Sequence, residues 1–308
     1  MATYIIRKLL YSILVLIGVI TVTFSLMYVI PGDPARLMLG QRADIASIDA
    51  VRKQLGLDDP LYVQYGRFMV KAVQGDLGRS YSSNRDVLTT IIETFPATAI
   101  LAVSALILSS IIGIMIGVIS SVRPYTFADN FSMLVALFGI SFPPFALGLI
   151  MALVFGAWLK WFPISGYINN GMIYLVLPML TLALRPLAII ARLTRSSMLD
   201  VLGQDYVRTA RAKGVNEWKV IIKHALRNAL NPVITTISAW LAALLGGTFF
   251  IEYIFNWPGI GLLAINSILS LDFPMIQGTV LFTAVIFIIV NMIVDIIYAF
   301  LDPKVKLS

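Results

Sequence analysis

The chain has no cysteine and a single histidine, His224. Without thiols there is no disulfide scaffold, no thiolate zinc site and no cysteine-held iron–sulfur cluster. One histidine excludes a multi-histidine metal or haem site. Charge is scarce: Asp, Glu, Lys and Arg make up 13% of 308 residues, against about 25% in soluble globular chains. The phosphate-cradling G-x-x-x-x-G-K-[ST] motif is missing, so the chain itself is not expected to hydrolyse ATP. The H-E-x-x-H and G-x-S-x-G motifs of hydrolases are missing too. His224 therefore reads as a packing or interface residue, not a catalyst. There is no charged relay, no pair of equivalent halves with broken helices and no repeated filter sequence. A proton-coupled carrier and a potassium-type channel are thereby disfavoured.

What is present is apolar: 59% of the residues are hydrophobic. That excess over a soluble core points to an integral membrane protein, an all-α polytopic one. Crossing hydrocarbon takes about 20 apolar residues. Six segments satisfy this: Leu9–Ile30, Ala97–Val122, Phe131–Trp158, Met172–Ile190, Val233–Ile254 and Gly278–Leu301. Pro143 and Pro144 fall in the third and Pro178 and Pro186 in the fourth, as tolerable kinks. The first run follows Arg7 and Lys8 but is longer than a signal sequence and lacks its cleavage site, so it reads as a retained helix.

Orientation is read from short-loop charge. Residues 192–227 hold eight basic side chains, Arg192, Arg195, Arg208, Arg211, Lys213, Lys219, Lys223 and Arg227, against Asp200, Asp205 and Glu217. Segment 159–171 has one lysine, and 255–277 has no basic residue. Loop 192–227 is therefore expected inside, as are both termini, with Arg7, Lys8, Lys304 and Lys306 in agreement.

The chain thus divides into 1–30, an inner end and first span; 31–96, an outer helical segment; and 97–308, a transmembrane core holding the inner loop 192–227. In the outer segment Ser47 is expected to cap a helix closed by Gly56. Asp59 is expected to cap another, with Pro60 at its first position and a stop at Gly75. These amphipathic helices lie on the membrane surface or serve as a platform for an outside partner; both readings stand.

In the inner loop, Asp205 is expected to cap a short helix to Lys213, with Gly214 in the left-handed position after it. Asn216 caps a second helix from Glu217, with Trp218, Ile221, Ile222 and Ala225 on one side and Lys219, Lys223 and Arg227 on the other. Anionic membrane lipid is one partner such a basic loop suits. Within the membrane, Asn291 and Asp295 share a face of the last span. An ion pair of Asp295 with Arg185 or Arg192 is expected, structural or acting as a gate or substrate contact.

Specific stretches resemble a known family. D-Y-V-R-T-A-R-A-K-G at Asp205–Gly214 and H-A-L-R-N-A-L-N-P at His224–Pro232 resemble the permease signature of ATP-binding-cassette (ABC) importers: E-A-A, three residues, Gly, nine residues, I-x-L-P. Ala210, Gly214 and Leu226 match. Arg208, Thr209, His224 and Arg227 stand where the pattern has Glu, Ala, Ile and Pro. P-G-D-P at Pro31–Pro34, Q-L-G-L-D-D-P-L at Gln54–Leu61, G-D-L-G at Gly75–Gly78, S-F-P-P-F-A-L-G at Ser141–Gly148, F-P-I-S-G at Phe162–Gly166, F-N-W-P-G-I-G at Phe255–Gly261 and the closing Asp302–Pro303 are similar to the dipeptide, oligopeptide and nickel permeases. Within them, the chain resembles the first permease subunit of dipeptide or glutathione importers.

The resemblance implies a type I importer fold and no enzymatic activity in this chain. It implies a second homologous permease completing a heterodimer, two cytoplasmic ATPases holding ATP and magnesium, and an external binding protein delivering peptide to the outer segment. Neither a cofactor in this chain nor a nucleic-acid partner is implied. Asp205, Tyr206, Arg208, Thr209, Ala210, Arg211 and Lys213 would form the helix seated on an ATPase, with Gly214 allowing the turn. The missing signature glutamate leaves open which polar contacts that helix makes. The same architecture carrying nickel or a nickel chelate is an alternative; a stand-alone channel or carrier is another.

Overall fold

The computed structural model describes residues 2–29, 33–39 and 44–301. Pro31, Gly32, the Asp302–Pro303 pair, Lys304 and Lys306 lie outside the described residues. In chain order the helices are α1 (Ala2–Val29), α2 (Pro34–Leu39), α3 (Ile45–Leu55), α4 (Leu61–Val73), α5 (Val87–Val122), α6 (Phe127–Ser141) and α7 (Pro144–Met151), which runs into a π-helical turn, Ala152–Trp158. Then come α8 (Ile173–Leu202), α9 (Asp205–Ala212), α10 (Glu217–Lys219), a π-helical turn Val220–Leu226, α11 (Arg227–Gly247), α12 (Phe249–Ile254), α13 (Ile260–Leu269) and α14 (Phe273–Leu301). No strand occurs among the described residues.

Five helices are long and apolar enough to cross a membrane, or six spans if a bent pair counts as one. The bent pair is the expected third span. α6 and the α7 segment meet at 106°, a break and not a mild kink. Its cause is local: Phe142 and Pro143 each precede a proline, and that position is driven from helical to extended backbone. Their ψ values are 132° and 133°.

Three other boundaries move for equally local reasons. α5 starts at Val87, not Ala97, because the Asp86 carboxylate accepts the Thr89 N–H at 2.8 Å and caps the helix there. α8 continues past Ile190 to Leu202, since Ala191, Thr194 and Met198 keep one face buried through the charged stretch. The helix from Glu217 and the fifth span are one rod, Glu217–Gly246. Pro232 inside it forfeits only the bond to the Asn228 carbonyl, at an exposed position.

Contacts divide the chain into two compact units, residues 1–98 with 258–308, and residues 99–257. In the first unit α14 packs on α1 and α13. Val87, Ile91, Ile260 and Met275 form its buried centre. The buried Asp272 carboxylate accepts the Tyr81 N–H at 3.0 Å and the Ser82 hydroxyl at 2.8 Å, fixing the 79–86 loop. In the outer segment Asp44 holds the cap position of α3, not Ser47, and Gly56 ends it at φ 65° as expected. Pro60, not Asp59, holds the cap position of α4. Asp33 accepts the Ala35 N–H at 3.2 Å and pairs with Arg52 at 2.9 Å, tying α2 to α3.

In the second unit α8 is central, against α6, α7, α9, α11 and α12. Near the C-terminal end of α5, Gly117 meets α8, where a Cβ would stand 2.6 Å from the Ala191 carbonyl oxygen and 2.5 Å from Thr194 Cβ. Only glycine lets the two backbones approach that closely. At the start of α6, Arg195 of α8 grips the fully buried Asp129 carboxylate through two bonds of 2.6 and 2.7 Å. The Tyr125 N–H adds a third at 2.8 Å.

Candidate functional site

The short helix α9 stands between two long ones. Only Gly203 and Gln204 separate it from α8, and Lys213 to Asn216 separate it from α10. Its inward side is apolar. Val207 is fully buried and Ala210 nearly so, packed on Val220 with Val201, Leu202 and Val215 around them. Behind this, Met198, Ile221, Ala225 and Ala229 form a second buried cluster joining α8 to the rod that begins at Glu217. Ile221 and Ala225 keep the buried side expected for that helix, but Trp218 and Ile222 are exposed and Val220 takes the inner place.

The outward side of α9 is polar. Asp205, Tyr206, Arg208, Thr209, Arg211 and Lys213 are all exposed. The helix has an acid in its first turn and a base in its last, which suits its dipole. Asp205 is not the cap: Gln204 holds that extended position, at φ −76° and ψ 150°, with no side-chain cap bond. Asp205 is the first helical residue.

The exit is a left-handed turn of the expected kind. The Val215 N–H bonds the Ala210 carbonyl at 3.3 Å and the Gly214 N–H bonds that of Arg211 at 2.9 Å. Gly214 sits at φ 74°. This 6→1 and 5→2 pattern, with Val215 folded onto Ala210, is a Schellman closure. Asn216 then accepts the Trp218 N–H at 3.0 Å, capping the return helix as expected. Across the turn, Arg211 Nε and Nη2 hold the Glu217 carboxylate at 3.2 and 2.7 Å. That hydrogen bonding holds the Arg211 guanidinium above its ordinary pKa. Asn228 Nδ2 donates to the Tyr206 hydroxyl at 2.8 Å, a brace from α11 to α9.

The intramembrane residues are arranged differently from expectation. Asp295 pairs with Lys8 of α1, in the first unit. Lys8 also donates to the Asn291 carbonyl at 3.1 Å, and the Asn291 amide bonds the Phe287 carbonyl of its own helix at 2.8 Å. Lys8 lies near the start of the first span, Ile6–Tyr28, and its ammonium meets the carboxylate that the arginines were expected to reach. Arg185 and Arg192 belong to the second unit and are exposed. No group of His, Cys, Asp and Glu able to hold a metal exists among the described residues.

Among the contacts that escaped sequence reading are Asp129–Arg195 and Asn228–Tyr206. For the first there was a signal. Thr126 followed by Asp129 marks a helix start, and an acid at the head of a span needs a cation nearby. The second depends on the rod continuing unbroken through Asn228, which the proline obscured.

The fold and this braced inner turn define a class: a polytopic membrane protein with a short polar helix presented between two long helices. The comparisons narrow it. Residues 111–307 match the family described as binding-protein-dependent transport system inner membrane component, and residues 1–102 match that family's N-terminal region. The glutathione transport system permease protein GsiC of Escherichia coli O6:H1 is 43% identical over 306 residues, covering 99% of each chain. Its counterpart in Escherichia coli strain K12 is 42% identical with the same coverage. A methionine ABC transporter, MetNI, solved in inward-facing conformations, matches with a TM-score of 0.51 and 16% identity, over 68% of this chain and 97% of that one. That likeness concerns the fold alone. This chain belongs to the inner-membrane permeases of binding-protein-dependent ABC importers, in the dipeptide and oligopeptide branch.

Proposed function

We propose that this chain is one of two homologous permease subunits forming the pore of an ATP-driven importer of small peptides, and that α9 is its coupling helix. The observation that carries the proposal is the two-sidedness of α9. Its apolar side is packed into the ends of α8 and the Glu217–Gly246 rod, while its polar side is left outward. A helix so mounted passes force into both long helices, because tightly packed interiors transmit displacement. Two cytoplasmic ATPases, holding ATP and magnesium, would seat the outward side. Their closure on ATP would draw the two coupling helices together and turn the pore from inward- to outward-facing.

In this reading the α9 side is cytoplasmic, as the basic excess of 192–227 supports. The outer segment 31–96 receives the substrate-binding protein. The glutathione permeases among the relatives favour a tripeptide-sized solute carrying free carboxylates. Nickel or a nickel chelate is the second reading within the same architecture.

Purification of the tagged chain in mild detergent, with ATPase assay of the eluate, tests this. A second six-span protein and P-loop ATPases are expected to co-purify with ATP turnover. A partner-free chain that moves solute in liposomes without ATP would replace the proposal with a channel or carrier.

A further inference from the structure

α8 carries an arginine within the depth of the membrane. Its 30 residues are about 45 Å long at 1.5 Å per residue. Arg185 lies about 18 Å from its first residue. A hydrocarbon slab of about 30 Å therefore encloses Arg185 wherever along α8 it is placed. Such a cation is costly unless it has a counter-charge or water. Among the described residues Arg185 has no ion-pair or hydrogen-bond partner, and it is exposed. It lines a cavity of about 220 Å³ with Phe145, Pro186, Trp240, Ala243 and Phe250. Arg192 stands two turns further along the same face, about 10 Å away, also exposed and without a partner among the described residues.

The neighbouring helix points the same way. On α11 the residues Asn228, Asn231, Thr235, Ala239 and Ala243 recur at three- and four-residue spacing, and every one is exposed. The exposed face of α5 differs, with Ile107, Ile111, Met115 and Ile119. Bulky aliphatic groups suit lipid; a polar and small-residue stripe ending beside an unpaired arginine suits water and solute. Ala243 belongs both to this stripe and to the cavity that Arg185 lines.

We propose that this face of α8 and α11 lines the solute path, and that Arg185 reads a carboxylate of the passing solute, with Arg192 as the next station inward. The inference rests on the importer reading and adds the residues that would read the free carboxylate of a peptide-like solute. A guanidinium binds a carboxylate through two parallel hydrogen bonds, which a lysine cannot reproduce. Transit needs the contact to be weak, and an open, hydrated site keeps it so.

The absence of cysteine allows a direct test. Ala243→Cys is introduced into the assembled importer, and this chain is reacted with anionic sulfonatoethyl and cationic trimethylammonioethyl methanethiosulfonate. The cysteine is expected to react with both. Arg185→Gln is expected to lower the anionic-to-cationic rate ratio roughly tenfold, as removal of a close charge in a partly screened site requires. Arg185→Lys, which keeps the charge, preserves the ratio. In the same importer, Arg185→Gln is expected to slow uptake of a free-carboxylate tripeptide several-fold more than that of its C-terminal amide, with ATP turnover retained. A cysteine that reacts with neither reagent, or a ratio indifferent to Arg185→Gln, overturns the inference. An importer that shows the ratio change yet carries no peptide leaves the anion path standing and overturns the peptide reading instead.

Discussion

Gly214 holds the exit of α9 at φ 74°, and a Cβ built there meets nothing within 4 Å. Substitution is penalised through the backbone alone. Gly214→Ala is expected to cost about 1 kcal/mol and to leave transport nearly intact. Gly214→Pro cannot reach a positive φ, because its ring fixes φ near −65°. It should insert normally yet hydrolyse ATP without uptake, measured as solute moved per ATP consumed. Unchanged uptake would remove the role given to this turn.

The ion pairs divide by burial. Asp129 is fully buried, and Asp129→Ala leaves Arg195 without its partner, a change worth about 3–5 kcal/mol in buried pairs. Thermal unfolding in detergent should show a clear loss. The exposed Arg211–Glu217 pair is worth at most about 1 kcal/mol, so Glu217→Gln should barely move the same transition. Asp295→Asn separates the gate from the structural reading of that residue. With Lys8 as its partner, lower yield and unchanged transport per molecule are expected, and exchanging the two charges, Lys8→Asp with Asp295→Lys, should recover yield.

Among the elements, the start of α5 offers a pH-dependent check. The Thr89 hydrogen bonds hold the Asp86 carboxyl below its usual value. A depressed carboxyl stabilises the fold above its unfolded value, about 3.9, and that contribution fades as pH falls through the folded value. Asp86→Ala is therefore expected to lower stability by about 1 kcal/mol at neutral pH. Parent and variant should converge on acidification; a pH-independent gap would mean that Asp86 does not act as the cap.

The sequence showed these elements unevenly. Apolar runs located every long helix, and Gly56, Gly214 and Asn216 announced their turns, because backbone at positive φ and helix starts both demand particular residues. Helix ends were less visible. The extension of α8 to Leu202 rests on Ala191, Thr194 and Met198 finding a partner surface, which no local pattern records. The break at Phe142–Pro143 was present in the proline pair, but its 106° size depends on two consecutive pre-proline positions acting together. The turn at Gly214 and the Asn216 cap after it were legible in the sequence, whereas the α9 cap, which falls on Gln204 and not on Asp205, and the Lys8–Asp295 pair were not, since nothing local says which distant cation meets Asp295.

At the scale of the whole molecule, the chain is a permease of the binding-protein-dependent importers, and its proposed work is to convert closure of partner ATPases into movement of α8 and α11. That claim requires the outward side of α9 to be covered in the assembled importer. Thr209 is exposed on that side, and the chain has no cysteine of its own. The decisive measurement attaches a short photoactivatable cross-linker to Thr209→Cys in the assembled importer, with Ile107→Cys on the aliphatic face of α5 as the comparison. The account predicts an adduct with a P-loop ATPase from position 209 and none from position 107. An importer that turns over ATP but gives no ATPase adduct from position 209 would contradict it.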